Sequence, residues 1–486
     1  MHLQCLLLTV FIGFVYGIPV IEVKGRHFAQ KGNDSAFFVK GLAYQPGGAA
    51  GINKGSDPLS DPELCRRDVF VFQSLGINTI RVYGVDPDVN HDACMSLLAA
   101  AGIYVILDVT SPLSGEHLHR YQPWTTYAPP LMKRIFKVME VFSGYDNSLG
   151  FIALNEVVND EKSAENAPNY IKALVRDMRA YAKNHIHREI PIGYAAADVL
   201  EYQQSLSSYL QCGEEGYVDF VGINTYRWCG DADYESSLYW QLVDDYKNFS
   251  VPLVISEHGC NRVQPRKWNE IAAILGPKMC DVFSGGVAYE YTMEKQADGQ
   301  YGVVQVNGTS LKYLPGEFAA LSKAYLKSPS PNVQVKESRL AKRPECPPSF
   351  DKIANKPIPS SQSKDLINEG LHGKDFKRGR FIPVDRWETT RYTIDDAKGA
   401  RVLSAKIKQV ASLEQGAISE NGYDPQPGLS KDVDGSEEPT ATTTKGDAPS
   451  KTTDATAQSS SGAASQHLPS SLFSTFFGML GLLLIG

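Results

Sequence analysis

The sequence predicts a (β/α)8 TIM barrel followed by a small C-terminal appendage and a disordered Ser/Thr-rich stalk. From Phe37 to Tyr291, eight short β-branched or apolar runs alternate with longer amphipathic stretches, the pattern of repeated βα units around a parallel sheet. Eight such units in roughly 250 residues match the size of a closed barrel. The rival, a doubly wound open sheet, would want a phosphate-binding Gly-rich loop after an early strand, and no GxGxxG or GxxxxGK run occurs.

The strand candidates, in order, are Phe37 to Tyr44, Asn78 to Tyr83, Tyr104 to Val109, Gly150 to Asn155, Ile190 to Ala195, Phe220 to Tyr226, Leu253 to Glu257 and Gly286 to Tyr291. Helical stretches such as Glu63 to Leu75, Leu131 to Phe142, Asn169 to Asn184 and Trp240 to Asn248 fall between them. The barrel domain is therefore placed at 18–328. Residues 329–418 read as a linker and small appendage, with Cys346 as its tie to the barrel. Asp365 to Leu413 has strand-like alternation around Phe381 and Tyr392 but too few apolar residues for a core of its own. Residues 419–467 are rich in Ser, Thr, Pro, Asp and Gly, like an O-glycosylated stalk that cannot bury a core.

Both ends are apolar. Residues 1–17 form an uncharged apolar run with small residues near Gly17 and read as a signal peptide. A buried first strand or a membrane anchor is the alternative, but the run is short beside the roughly 20 residues of a spanning helix. Residues 468–486 form an apolar tail without a charged flank, preceded by small residues from Ser459 to Ser465. That order is expected of a glycosylphosphatidylinositol (GPI) signal with attachment at Ser461 or Gly462, against a tail anchor or a plain disordered terminus. The expected location is the outer leaflet of the plasma membrane, or the cell wall.

The chain carries 48 Lys and Arg against 55 Asp and Glu, a net charge of −7, which offers no basic footprint for nucleic acid. Of its eight cysteines, seven remain if Cys5 leaves with the signal, and in an oxidising compartment they should mostly pair. None shows CxxC spacing, so no metal is expected. Asn33, Asn248 and Asn307 open N-x-S/T sequons that such a compartment could glycosylate.

In a TIM barrel the chemistry sits at the C-terminal strand ends. Those ends carry Tyr44-Gln45, Arg81-Val-Tyr83, Asp108, Asn155-Glu156, Asn224-Thr-Tyr226, Glu257-His258 and Tyr289-Glu290-Tyr291. Glu156 and Glu257 close strands four and seven, three βα units apart, and so face each other across the mouth. Paired carboxyls suit glycoside chemistry: one held protonated, one ionised, about 5–5.5 Å apart when the mechanism retains configuration. Asn155 is placed to bond a sugar 2-hydroxyl. A single strand-terminal Glu is often only a structural ion pair; two, one of them following Asn, point to catalysis.

Between Ile21 and Lys327 lie VKGLAYQPGG, DPLSDPELCRRDV, NTIRVYGVDPDVNHDACM, IYVILDVTSP, LGFIALNEVVN, VGINTYRWCG, VISEHGCN and DVFSGGVAYEY. Through these runs the chain resembles the fungal β-1,3-glucanosyltransferases of glycoside hydrolase family 72. The resemblance implies a (β/α)8 barrel that cleaves an internal β-1,3-glucosidic bond and passes the new reducing end to the non-reducing end of another β-1,3-glucan. It implies no metal or organic cofactor, a glucan as both donor and acceptor, and a monomer. Glu156 then corresponds to the acid/base and Glu257 to the nucleophile, with Gln45, Tyr83, Asp108, Asn155, Tyr226, Tyr289 and Tyr301 lining the glucan groove. The family's cysteine pairing maps to Cys65 with Cys94, Cys229 with Cys260, and Cys212 with Cys346, leaving Cys280 as a buried free thiol.

Two departures stand out. Only Cys346 follows Cys280, so the cysteine-rich carbohydrate module carried by many members is missing. His258 stands where the family pattern has a Tyr, which raises the prospect of an altered pH dependence. The rival functions are a plain β-1,3-endoglucanase and a non-catalytic glucan-binding wall protein.

Overall fold

The computed structural model describes residues 18–48, 52, 54–294, 300–335, 342–403 and 405–410. The expected signal peptide, the stalk, the attachment site at Ser461 or Gly462 and the apolar tail lie outside the described residues. Eight almost wholly buried runs close into one barrel: β1 (Val39–Ala43), β2 (Thr79–Val82), β3 (Tyr104–Asp108), β4 (Ser148–Asn155), β5 (Ile192–Ala196), β6 (Phe220–Asn224), β7 (Leu253–His258) and β8 (Phe283–Ala288). Each pairs in parallel with its neighbours in chain order, and β8 closes on β1 through Gly285 opposite Val39. Strands covered on both faces need apolar residues at nearly every position, which is why their sequences are continuous rather than alternating.

The outer ring consists of α1 (Pro62–Leu75), α2 (Asp92–Ala100), α3 (Pro129–Phe142), α4 (Pro168–His185), α5 (Leu200–Gln211), α6 (Tyr239–Tyr246), α7 (Asn269–Ile274) and α8 (Glu317–Lys327). The run DPELCRRDV folds as a helix start. Asp61 Oδ1 accepts from the Glu63 and Leu64 amides at 2.9 and 3.3 Å, Pro62 stands in the first turn, and Gly76 ends α1 in the left-handed region at φ 77°. Asp68 of α1 is fully buried and accepts from Arg67, Tyr44 and Tyr291, which fixes the ends of β1 and β8 to this helix.

Below the barrel, Ile21–Lys24, His27–Gln30 and Ala36–Phe37 form a small antiparallel sheet. It buries Ile21, Phe28 and Phe37 against Val39, Tyr104, Ile106, Leu149 and Phe220, the inward residues near the strand starts. Each such apolar side chain contributes about 1.5–3 kcal/mol. The floor is thereby plugged and the opposite end is left to carry the site.

All three disulfides implied by the family form: Cys65–Cys94, Cys229–Cys260 and Cys212–Cys346. Cys280 is free and buried. The sequon residues Asn33, Asn248 and Asn307 are exposed.

The C-terminal segment is not a separate body. From Cys346 to Val410 it runs as a strap over the outer faces of the helices, adding only a short helix, Lys364–Glu369, and a strand, Thr393–Asp395, that extends the hairpin Val304–Asn307/Ser310–Tyr313 in parallel to the latter. The alternation around Tyr392 yields that strand. Around Phe381 there is none, and the ring packs instead on Tyr145 at 5.8 Å. Gly144 and Gly379 permit the approach, because a Cβ on Gly144 would lie 1.8 Å from the Gly379 carbonyl oxygen, and one on Gly379 would enter the Tyr145 ring. The strap needs no core of its own because Ile353, Ile367, Ile394 and Ile407 bury into the barrel's core and its polar groups find partners on the barrel. Asn169 and Arg176 reach the carbonyls of Pro357 and Pro359, Gly379 N donates to Val141 O, and Val410 N donates to Ala100 O.

Glu63 is the densest of these junctions. It accepts from Arg66, Arg386, the Thr389 hydroxyl and the amides of Thr390 and Arg391. Hydrogen bonds to a charged group are worth about 1.5–3 kcal/mol. Glu63→Ala should therefore raise local opening of the strap at least about ten-fold, read as faster tryptic cutting at Lys374 to Arg391 with the barrel left intact. Cutting at the wild-type rate would show that the strap is held elsewhere.

Candidate active site

Arg81 is a charged residue in the middle of a barrel strand, and its side chain can only point inward. It is 0% exposed, so its charge must be matched on the spot. Nε and Nη2 donate to both oxygens of Asp108 at 3.2 and 3.0 Å. Nη1 donates to Glu257 Oε1 at 3.1 Å and Ser256 O at 3.2 Å, and Nη2 also reaches Asn155 Oδ1 at 2.8 Å. One guanidinium thus links the ends of β2, β3, β4 and β7.

The two glutamates receive different surroundings. Glu257 is buried and accepts from Arg81, from Tyr83 Oη at 3.0 Å and from Tyr226 Oη at 2.8 Å. Burial pushes its pKa up, and these donors pull it back towards the ionised form. Glu156 is partly buried and accepts from one neutral amide, Asn224 Nδ2 at 2.8 Å. Burial, followed by the charge of Glu257, pushes it up to about 7. At neutral pH the pair is therefore poised with Glu257 as the ion and Glu156 as the acid. Glu156 stands at φ 50°, a left-handed conformation uncommon outside glycine, and its amide is pinned to Ala195 O at 2.9 Å. The chain turns out of β4 at that point.

Tyr83, Tyr226, Tyr289 and Tyr301 form one wall beside Glu257. Their rings meet edge to face, Tyr83 and Tyr226 each 6.3 Å from Tyr289, and Tyr301 at 5.3 Å from Tyr289 and 5.7 Å from Tyr226. Arg266 donates to the carbonyls of Tyr289 and Tyr301 and to Glu317, fixing that wall from behind. Tyr301, which no strand motif placed, joins the cluster through its carbonyl, which accepts from Glu290 N at 3.0 Å. Gln45 lies on the rim after β1, partly buried. Asp108 is 3% exposed and both its oxygens are bound by Arg81, so it supports the groove from beneath instead of lining it. His258 is buried, facing α7, with Nδ1 3.2 Å from Glu270 and its ring edge-on to Trp268.

Arg81 and Asn224 enter the sequence reading only as strand-end residues without a role, and Arg266 does not enter it at all. The first two stood in quoted motifs, and a polar side chain inside an apolar barrel strand was the available signal. Glu290 is a third buried carboxyl at the mouth, pushed up to about 8 by burial and by Glu294. A cavity of about 380 Å³ between the start of α2, the end of α3 and residues 373–377 shares no residue with this cluster. Among the described residues, no group of three or more His, Cys, Asp or Glu is arranged to hold a metal ion.

Comparison with known proteins bears on this geometry. The glucanosyltransferase family model of glycoside hydrolase family 72 matches residues 13–329. The chain is 42% identical over 393 residues to 1,3-beta-glucanosyltransferase GAS4 of Saccharomyces cerevisiae, covering 79% of this chain and 82% of that protein. It is 39% identical over 404 residues to 1,3-beta-glucanosyltransferase gel2 of Aspergillus fumigatus, covering 81% and 84%. Among solved structures, Saccharomyces cerevisiae Gas2p superposes with a TM-score of 0.65 at 34% identity, over 73% of this chain and 75% of that one. A Gas2p mutant in complex with laminaritetraose and laminaripentaose superposes with a TM-score of 0.62 at 34% identity, over 71% and 75%. With a closed eight-stranded barrel and these matches across most of its length, the chain belongs to the glucanosyltransferases of glycoside hydrolase family 72.

Proposed function

We propose that this chain remodels cell-wall β-1,3-glucan, cleaving an internal β-1,3 bond with retention and transferring the new reducing end to the non-reducing end of a second glucan. The observation that carries this reading is the unequal solvation of the two carboxyls: three donors, one of them charged, on Glu257, and one neutral amide on Glu156. The names and ligands of the relatives supply the substrate class.

In the first displacement a Glu257 oxygen attacks the anomeric carbon. The C1–O3 bond breaks and the Glu156 proton goes to the departing O3. In the second, Glu156 takes the proton of an incoming 3-hydroxyl, whose oxygen attacks C1 and displaces Glu257. Arg81 holds Glu257 ionised for the attack. Because Asn155 Oδ1 is taken by Arg81, its Nδ2 is left to donate to the sugar 2-hydroxyl. Asn224 is fixed in the same way: Oδ1 accepts from Ser256 Oγ at 2.7 Å and Nδ2 bonds Glu156 Oε1, which leaves Glu156 Oε2 for the travelling proton.

We also propose entry to the secretory route, GPI attachment at Ser461 or Gly462, and glycans at Asn33, Asn248 and Asn307. The apolar ends and the exposure of the three asparagines support it.

Glu156→Gln and Glu257→Gln should each lower turnover by at least about 10³-fold while leaving glucan binding in place. The assay is incubation with a reduced β-1,3-glucan oligosaccharide read by chain length. Longer products support transfer, shorter products alone would make the enzyme a hydrolase, and no change would leave a binding protein. Activity needs Glu156 protonated and Glu257 ionised, so kcat/KM should be bell-shaped in pH with its alkaline limb near 7. Tyr226→Phe removes a donor to ionised Glu257, raises the pKa of that carboxyl, and should move the acid limb to higher pH. An unmoved acid limb would count against Glu257 as the ionised partner. For the anchor, phosphatidylinositol-specific phospholipase should release the protein from membranes; retention after treatment would exclude a cleavable GPI link.

A further inference from the structure

A lone exposed apolar side chain is ordinary; Trp124, 50% exposed, stands out by how its surroundings hold it. It sits on the loop between β3 and α3, on the same end of the barrel as the two carboxyls, in a short turn Pro123–Thr125. That loop is rigid. His119 Nδ1 accepts from the amides of Tyr121 and Gln122 at 3.2 and 3.0 Å, the Thr126 hydroxyl accepts from His119 N at 2.8 Å, and Tyr127 N bonds Pro123 O at 2.8 Å. Buried Tyr127 packs on Tyr170 at 5.8 Å, and Tyr170 faces Trp124 at 6.5 Å, so a ladder of rings leads from the core out to the indole. A tryptophan held out on such a pedestal loses little freedom when a flat apolar face stacks on it.

The same loop is fastened to the segment that leaves Glu156. Tyr121 Oη donates to Asp160 Oδ2 at 2.7 Å, and Asn166 Nδ2 donates to the Tyr121 carbonyl at 3.2 Å. Lys162 lies 5.1 Å from the centre of the Tyr121 ring, and the charge of Arg120 is felt at the Glu156 carboxyl. The pedestal therefore belongs to the acid/base side of the mouth, not to the tyrosine wall around Glu257. In a retaining displacement that side receives the leaving sugar and then whatever attacks C1.

Resting on the retaining mechanism proposed above, we infer that Trp124, with Tyr121 beside it, is a stacking platform for the acceptor β-1,3-glucan and so helps decide between transfer and hydrolysis. A pyranose ring offers the indole its C–H face. Holding the acceptor there raises its local concentration against water, which needs no platform.

Trp124→Ala and Trp124→Phe are to be assayed against wild type with a reduced laminari-oligosaccharide as donor and increasing acceptor, following transfer and hydrolysis products separately. Trp124→Ala should raise the acceptor concentration for half-maximal transfer about ten-fold and shift products towards hydrolysis. Donor cleavage should fall as well, because the departing sugars cross the same side, but by less than transfer does, since water attacks without the platform; Trp124→Phe should lie in between. An unchanged acceptor dependence in Trp124→Ala overturns the proposal, as does an equal loss of cleavage and transfer, which would mark Trp124 as a structural residue only. If wild-type protein leaves the donor intact, the glucanosyltransferase reading itself has failed. That result is distinct from a variant that matches an active wild type.

Discussion

A fully buried guanidinium is the constraint around which the mouth of this barrel is built. Leaving Arg81 uncompensated in the interior would cost several kcal/mol, and the fold answers with a bidentate Asp108, one oxygen of Glu257, the Asn155 amide and the Ser256 carbonyl. Each comes from a different strand except Ser256 and Glu257, both of β7, so satisfying one charge fixes the mutual position of β2, β3, β4 and β7. Removing Asp108 would leave Glu257 as the only anionic partner of Arg81 and draw the two together, changing the geometry of the carboxyl that has to remain free to attack. Stability of the barrel end and orientation of the site are the same set of hydrogen bonds.

The outer surface follows a second logic. A strap of more than sixty residues with few apolar side chains cannot fold alone, yet it has a defined path because donors and acceptors wait for it on α1, α2, α3 and α4. Asp92 accepts from Arg380 N, Ser96 Oγ from Ile382 N, Glu140 from Arg378, and Gln73 exchanges two bonds with Lys408. Glu140 and Asp92 are 2% and 5% exposed and also accept from the buried Tyr181 and Tyr145 hydroxyls at 2.9 and 2.6 Å. The Cys212–Cys346 bridge fixes the start of the strap beside α4, where the buried Lys172 amine reaches the Cys212 carbonyl. Cross-linking across 134 residues reduces the chain entropy that docking must overcome.

These two features explain what was legible in the sequence. The eight strands were, because burial on both faces leaves continuous apolar runs of the right length; β4 and β7 end within a residue of where those runs and the terminal acids placed them, while β8 spans Phe283–Ala288, three residues earlier than the Gly286 to Tyr291 read from the sequence. Glu156, Glu257 and the tyrosines of the strand ends were legible for the same reason: a polar residue closing an apolar run sits at the mouth. Asp108 was read correctly as a strand-end acid, but its engagement by Arg81 depends on a side chain from the neighbouring strand, and no local pattern reports which of several partners a buried arginine selects. The strap was illegible as structure because its order comes from contacts distant in the chain, most of them more than 180 residues away, so its own sequence carries only the weak alternation at Tyr392. His258 differs from the family's aromatic, yet the position faces α7, where a ring that can pack on Trp268 and bond Glu270 is what the site requires.

The mouth that results is asymmetric in a way that matters for group transfer. On the Glu257 side, four tyrosine rings and Arg81 crowd the carboxylate, and Arg266 locks two of those rings by their carbonyls. Such a wall suits the sugar that stays, since the covalent intermediate must hold its position while one glucan departs and another arrives. On the Glu156 side the carboxyl has a single amide partner, and the segment that follows it is tied at Asp160 and Asn166 to Tyr121, on the loop that carries the exposed Trp124. A carboxyl that must release a proton and later take one cannot be held by donors that favour one state strongly, because each fixed donor to the anion lowers its value as an acid. The sparse solvation of Glu156 and the open, aromatic character of its flank therefore answer one requirement: both halves of the reaction pass through that side, and only a loosely held proton and an accessible surface let them alternate.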